Sequence, residues 1–142
     1  MPTTEVKIIH VSIDVPWRIV YDFAHRPESM PQWAAGLASG LTRDGDEWIA
    51  DGGPVGNVRV RFVPPNIFGV IDHEVALPNG TVVHNSLRIV PNGDGAEVMF
   101  TLLRQPDMDV AAFQADAKAV QHDLQTLKTL METTQKEQAG GH

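Results

Sequence analysis

The sequence predicts an α+β domain: one antiparallel sheet of about seven strands, two short helices after the first strand, and one long C-terminal helix. Three observations carry that expectation. A β-branched, partly alternating segment runs from Glu5 to Ile13, and short alternating runs broken by turn signals fill residues 37–105. Apolar residues at spacings of three and four then extend from Val110 to Met131. The 142 residues suit a single domain. Its core is expected over about 5–133, with a flexible tail over 134–142.

In chain order, Ile9, Val11 and Ile13 share one side of the first strand. Pro16 opens a helix where a missing N–H costs nothing, Ile19, Val20 and Phe23 form its apolar stripe, and Arg26–Pro27 ends it. A second short helix starts near Pro31, carries Trp33 and stops at Gly36. Turns at Asp44–Gly45–Asp46, Asp51–Gly52–Gly53–Pro54, Pro64–Pro65–Asn66, Pro78–Asn79–Gly80 and Asn92–Gly93–Asp94–Gly95 then punctuate an antiparallel meander. Val110, Phe113, Ala117, Val120, Leu124, Leu127 and Met131 mark an amphipathic helix of about 25 residues, with Asp107 or Asp109 as its cap.

Hairpin register decides which polar side chains face inward. Proline's fixed φ suits Pro78 to the first inner position of a type I turn, with Gly80 in the left-handed position of a three-residue bulged loop. Leu77 then faces Thr81, Val75 faces Val83, His73 faces Asn85 and Ile71 faces Leu87, on a side that is nearly all apolar. Alternation places Val58, Val60, Phe62, Val98, Phe100 and Leu102 on the same inner face. A two-residue Asn79–Gly80 turn would shift the register by one and exchange the faces of one strand. The outer face holds Arg59, Arg61, Asp72, Glu74, His84, Ser86, Arg88 and Glu97, with Arg59 and Arg61 near Asp72 and Glu74 as surface ion pairs. Arg104 falls at the inner end of the last strand.

Composition excludes several function classes. Acids outnumber bases 18 to 11, for a net charge of −7, which argues against nucleic acid and anionic membrane as partners. There are no cysteines, so thiolate nucleophiles and Cys-ligated metals are out. Met1 to Lys7 has no apolar signal core and no apolar run reaches a membrane span, so a cytoplasmic protein without membrane insertion is the expectation. No P-loop, G-x-G-x-x-G, H-E-x-x-H or G-x-S-x-G motif occurs, and the six histidines are scattered. No cofactor and no metal is expected.

What remains is a small set of inward polar groups. His73 and Asn85 either satisfy each other and structural water, or line a cavity and meet a ligand. An imidazole suits proton transfer near neutral pH, which makes His73 the one acid–base candidate, with Asn85 in support. Trp33 reads either as core or as the aromatic of a lid, and Asp116 as solvated helix flank or cavity rim.

The layout resembles the START-like superfamily, also called SRPBCC or the helix-grip fold, and within it the polyketide cyclase/dehydrase and lipid-transport group. Ile13–Asp14–Val15–Pro16 entering the first helix, Trp33, and the turn-rich meander carry the resemblance. Asp72–His73–Glu74–Val75, Pro91–Asn92–Gly93–Asp94–Gly95–Ala96–Glu97–Val98 and Asp123–Leu124–Gln125–Thr126–Leu127–Lys128 add to it, over about residues 5–133. It implies a curved sheet gripping the long helix around a largely apolar cavity, in proteins that bind lipids, sterols, polyketides, hormones or quinones. The iron-using oxygenases of that superfamily need a His/carboxylate cluster that is missing here.

The expected function is therefore binding of a small hydrophobic or aromatic molecule. The candidate ligand-contacting residues are His73, Asn85, Trp33, Val58, Val60, Phe62, Leu87, Phe100, Arg104 and Phe113. The rivals are a cyclase/aromatase- or hydrolase-type enzyme using His73, and a chaperone-ATPase activator or other interaction module. A homodimer through an outer surface is carried as a further expectation.

Overall fold

A computed structural model describes residues 2–140. The elements run β1 (Val6–Ile13), α1 (Trp17–Ala24), two 3-10 turns (Met30–Gln32 and Ala35–Leu37), β2 (Leu41–Asp44) and β3 (Glu47–Asp51). A 3-10 turn at Gly53–Val55 leads to β4 (Asn57–Phe62), β5 (His73–Ala76), β6 (Val82–Asn92), β7 (Gly95–Leu103) and α2 (Val110–Gly140). One seven-stranded sheet has the order β1-β7-β6-β5-β4-β3-β2, with every neighbour antiparallel. The meander from β2 to β7 is thus extended by β1 alongside β7, and the curved sheet wraps α2. Among the described residues no helix is long and apolar enough to cross a membrane.

The register follows the proline argument. His73 pairs with Asn85, Glu74 with His84 and Val75 with Val83. The loop closes through Leu77 N–H to Thr81 O at 2.8 Å and Gly80 N–H to Leu77 O at 3.0 Å, with Gly80 at φ +91°. Val58, Val60, Leu87, Val98 and Leu102 are buried on the inner face, while Arg59, Arg61 and Arg88 are exposed on the outer one. The outer ion pairs differ in partner from the expectation. Arg59 bonds Asp44 and Glu47 from the neighbouring β2–β3 hairpin, at 2.7 and 3.0 Å, and it is Arg88 that takes Asp72, at 2.8 Å. The fork of a long arginine reaches sideways to the carboxylates across the adjoining ladder.

The helical elements also differ in detail. On α1 the buried face is Val20, Tyr21 and Ala24, with Ile19 left 41% exposed. The second short helix is two successive 3-10 turns with Trp33 between them. Asp109 is the cap of α2, its carboxylate accepting from Ala112 N–H at 2.8 Å, and Val110 in the first turn is exposed. α2 continues to Gly140, through much of the 134–142 stretch expected as tail; Gly141 and His142 lie outside the described residues.

Phe113, Ala117, Leu124, Leu127 and Met131 of α2 pack with Ile9, Val11, Ile13, Leu87, Ile89 and Val98 in the main core. Lys128 Nζ fastens the far end of the helix to Ser12 O at 2.6 Å, and Glu132 accepts from Asp14 N–H at 2.9 Å. Ala50, Val58 and Val60 form a second, smaller cluster on β3 and β4. The helix lies over β1 and β7; Leu37, Leu41 and Phe62 pack against both clusters, and beside them a space lined by residues of both is left unfilled.

Candidate functional site: a cavity between the sheet and the helix

That space is a cavity of about 250 Å³. Val58, Val60, Phe62, Val75, Leu87 and Phe100 supply its sheet wall, Val120 and Leu124 its helix wall, and Met30, Trp33, Ala34 and Leu37 close it from the 3-10 turns. A more open chamber of about 440 Å³ continues toward the start of α2, sharing Val75, Asn85, Phe100, Val120 and Asp123 as a waist.

Polar groups in the inner cavity are few, and the chain fixes each by a definite means. Ile71, two residues before β5, stands opposite Leu87 of β6, where an antiparallel ladder would normally exchange two bonds. Only one forms, Ile71 N–H to Leu87 O at 2.8 Å. Leu87 N–H turns instead to the Asp72 carboxylate at 3.1 Å, and Ile71 O is taken by His73 Nδ1 at 3.0 Å. A carbonyl only accepts, so Nδ1 carries the proton and the Nε2 lone pair is left on the other side of the ring. Asn85 Nδ2 donates to it at 3.4 Å, a long bond, and the ring packs against Phe62 with centroids 5.3 Å apart. Burial holds the His73 pKa below the ordinary imidazole value, against the opposing effects of Ile71 O and Asp72. The imidazole is thus neutral, in one tautomer, and among the described residues Asn85 Oδ1 accepts no hydrogen bond.

On the helix side stands Asp123, a residue the sequence reading quoted only within a motif. It lies on the flank of the apolar stripe, three residues after Val120 and four before Leu127, and borders both chambers. Its Oδ1 accepts from Ala35 N–H at 3.1 Å, tethering the second 3-10 turn to α2 across the cavity mouth. Burial raises its pKa, with the Ala35 bond and His122 opposing. Its signal in the sequence was an acid interrupting the apolar side of an amphipathic helix. Asp116, two turns earlier, borders the open chamber and is likewise raised by burial.

Trp33 is 7% exposed, and its Nε1–H finds no acceptor among the described residues. A buried donor left unmatched costs about 1–3 kcal/mol.

Eight of the ten candidate residues line the inner cavity: His73, Asn85, Trp33, Val58, Val60, Phe62, Leu87 and Phe100. Arg104 and Phe113 do not. β7 ends at Leu103, and the Arg104 guanidinium folds back to Met108 O at 2.8 Å and Glu5 at 3.3 Å. Phe113 is 1% exposed in the core near the start of α2, under Lys7 and away from the cavity that Val120 and Leu124 face. Among the described residues no three His, Asp or Glu side chains are grouped to hold a metal ion.

No family model and no curated protein matches the sequence. Solved structures do. A protein from Nitrosospira multiformis superposes with a TM-score of 0.70 at 12% identity, over 93% of this chain and 99% of its own. DynU16, a protein of the dynemicin biosynthetic locus, gives 0.69 at 13% identity over 91% of this chain. This chain spans about half of DynU16, 48% of its length. Ara h 8.0201 gives 0.62 at 10% identity, over 92% and 99%. The fold is the helix-grip fold, shared with these solved structures. In this helix-grip chain α2 lies against β1 and β7, and the polar pair His73–Asn85 sits at the seam between β5 and β6.

Proposed function

We propose that the protein binds a small hydrophobic or aromatic molecule, of lipid, polyketide or quinone type, in the inner cavity. The observation that carries the reading is the cavity itself: an apolar space of about 250 Å³ between two core clusters, bounded by a few polar groups. Side chains that could have packed solidly instead leave room, and a pocket of this composition is the usual form of a small-molecule site. Its volume equals that of roughly eight liquid waters at ~30 Å³ each, which suits one or two fused rings; a longer ligand would extend through the waist into the open chamber. The dynemicin-locus neighbour supports a polyketide-like ligand by analogy of fold.

A second reading, catalysis on the bound molecule, rests on one observation: His73 is held neutral in a single tautomer, with an Nε2 lone pair covered only by the long Asn85 bond. That is the form a general base requires. Native mass spectrometry of protein purified from its source tests the first reading, with a co-purifying apolar molecule expected. Incubating that molecule with the protein separates the two. A carrier returns it unchanged, and His73→Ala then weakens binding alone. An enzyme converts it, and His73→Ala lowers turnover about 10²–10⁴-fold with binding less affected. A protein that stays empty against a panel of apolar probes overturns both readings.

A further inference from the structure

Resting on the binding reading, we infer that the ligand carries a neutral hydroxyl that donates its proton to Asn85 Oδ1 at the waist between the two chambers. A chain of constraints fixes that oxygen. Ile71 O takes the His73 Nδ1 proton, so His73 Nε2 can only accept. Asn85 must then turn its Nδ2 toward Nε2, at 3.4 Å, which sends Oδ1 to the other side of the amide. The side chain has the strand parity of buried Leu87, so it stands on the inner face of β6. Among the described residues that are not exposed, Trp33 Nε1 alone is both buried and unmatched. Asn85 Oδ1, which also has no partner, is therefore reachable from the space it borders.

What reaches that oxygen must bring a proton. One Asn85 Nδ2–H is also free, but the waist holds more open acceptors than donors. Across it, Asp123 gives only Oδ1 to Ala35 N–H, and its Oδ2 accepts no bond among the described residues. Burial raises the Asp123 pKa, the mark of a carboxylate short of donors. A ketone or ether oxygen could take the spare Nδ2–H but leaves both acceptors bare. A carboxylate fares worse, because Asp107, Asp116 and Asp123 border the chambers and no Lys or Arg does. An ammonium would have to leave water for an amide that carries no counter-charge. Val75, Phe100 and Val120 complete the waist, so the hydroxyl must sit on an apolar body. Hydroxylated aromatic rings meet both demands, and the spare Nδ2–H can take a second oxygen of the same ligand.

A matched set of probes tests this: 2-naphthol, 2-methoxynaphthalene, which keeps the oxygen and loses the proton, and naphthalene. Wild-type protein is expected to bind 2-naphthol about tenfold more tightly than either of the others, the net value of one good hydrogen bond. Asn85→Leu, a side chain of similar size, should bring 2-naphthol level with naphthalene. A readout needing no variant is the Asn85 side-chain carbonyl carbon, assigned through its bonds to the backbone. Its resonance should move downfield with 2-naphthol relative to naphthalene, because the two ring systems shade it alike and only the hydroxyl bonds its oxygen. Equal affinity for 2-naphthol and naphthalene, or 2-methoxynaphthalene binding as tightly as 2-naphthol, overturns the inference and leaves the cavity reading standing. So does discrimination that survives Asn85→Leu, or a carbonyl resonance that the hydroxyl does not move. Failure of all the probes to bind overturns the two together.

Discussion

His73 takes the place of a strand-to-strand bond, so its proton ties site chemistry to the stability of the sheet. Burial lowers its folded-state pKa, so the unfolded chain binds the proton first as pH falls. The stability contributed by the neutral imidazole is complete above the unfolded value of about 6.5 and is lost as pH drops from there toward the folded value. Wild-type protein should lose denaturation free energy across that window, and His73→Gln should flatten the slope. His25, also lowered by burial, acts in the same direction, so the difference between the two proteins is the quantity to measure. A slope unchanged by His73→Gln would mean the imidazole is not linked to folding. On the opposite face Arg61 is exposed and has no ion-pair partner among the described residues. Arg61→Gln should shift the unfolding free energy by less than ~1 kcal/mol in a chemical melt.

The long helix and the turns tied to it set the next level of predictions. Leu124 is 1% exposed between the main core and the cavity, so Leu124→Ala should cost ~2–5 kcal/mol by denaturant titration. A melt within a degree of wild type would show that the helix is not gripping the sheet. Asp123→Ala should speed hydrogen exchange at Ala35, and Asp123→Asn, which keeps the accepting oxygen, should restore protection. Much at this scale was legible in the sequence. One proline with fixed φ set a loop, the loop set a register, and the period of two carried that register to six more inward residues on the neighbouring strands. The second helix was harder, because Pro31 and Gly36 mark its limits without stating how the turns between them close. Arg104 shows another limit: strand parity gives the direction of a Cβ, but a long side chain past the strand end follows the nearest carbonyl. Asp123 escaped notice for the opposite reason. Helical position alone makes it flank, and only the turn packed over it makes it part of the site.

For the whole molecule, the division of the core into two clusters is the decisive property. Val60 is buried at the junction of the smaller cluster and the cavity, so Val60→Phe adds a ring where space exists. The variant should remain folded by circular dichroism and lose affinity for apolar probes, because ligand and ring compete for the same volume. A cavity is also a mechanical property. Unfolding lets water into space the folded chain leaves empty, so the empty protein occupies more volume folded than unfolded, and compression drives it open. A molecule seated in the cavity removes that excess. Hydrostatic pressure should therefore unfold the empty protein with a larger volume change than the occupied one. The difference would scale with how completely the occupant fills the space, so the volume change of unfolding reports whether the cavity is filled.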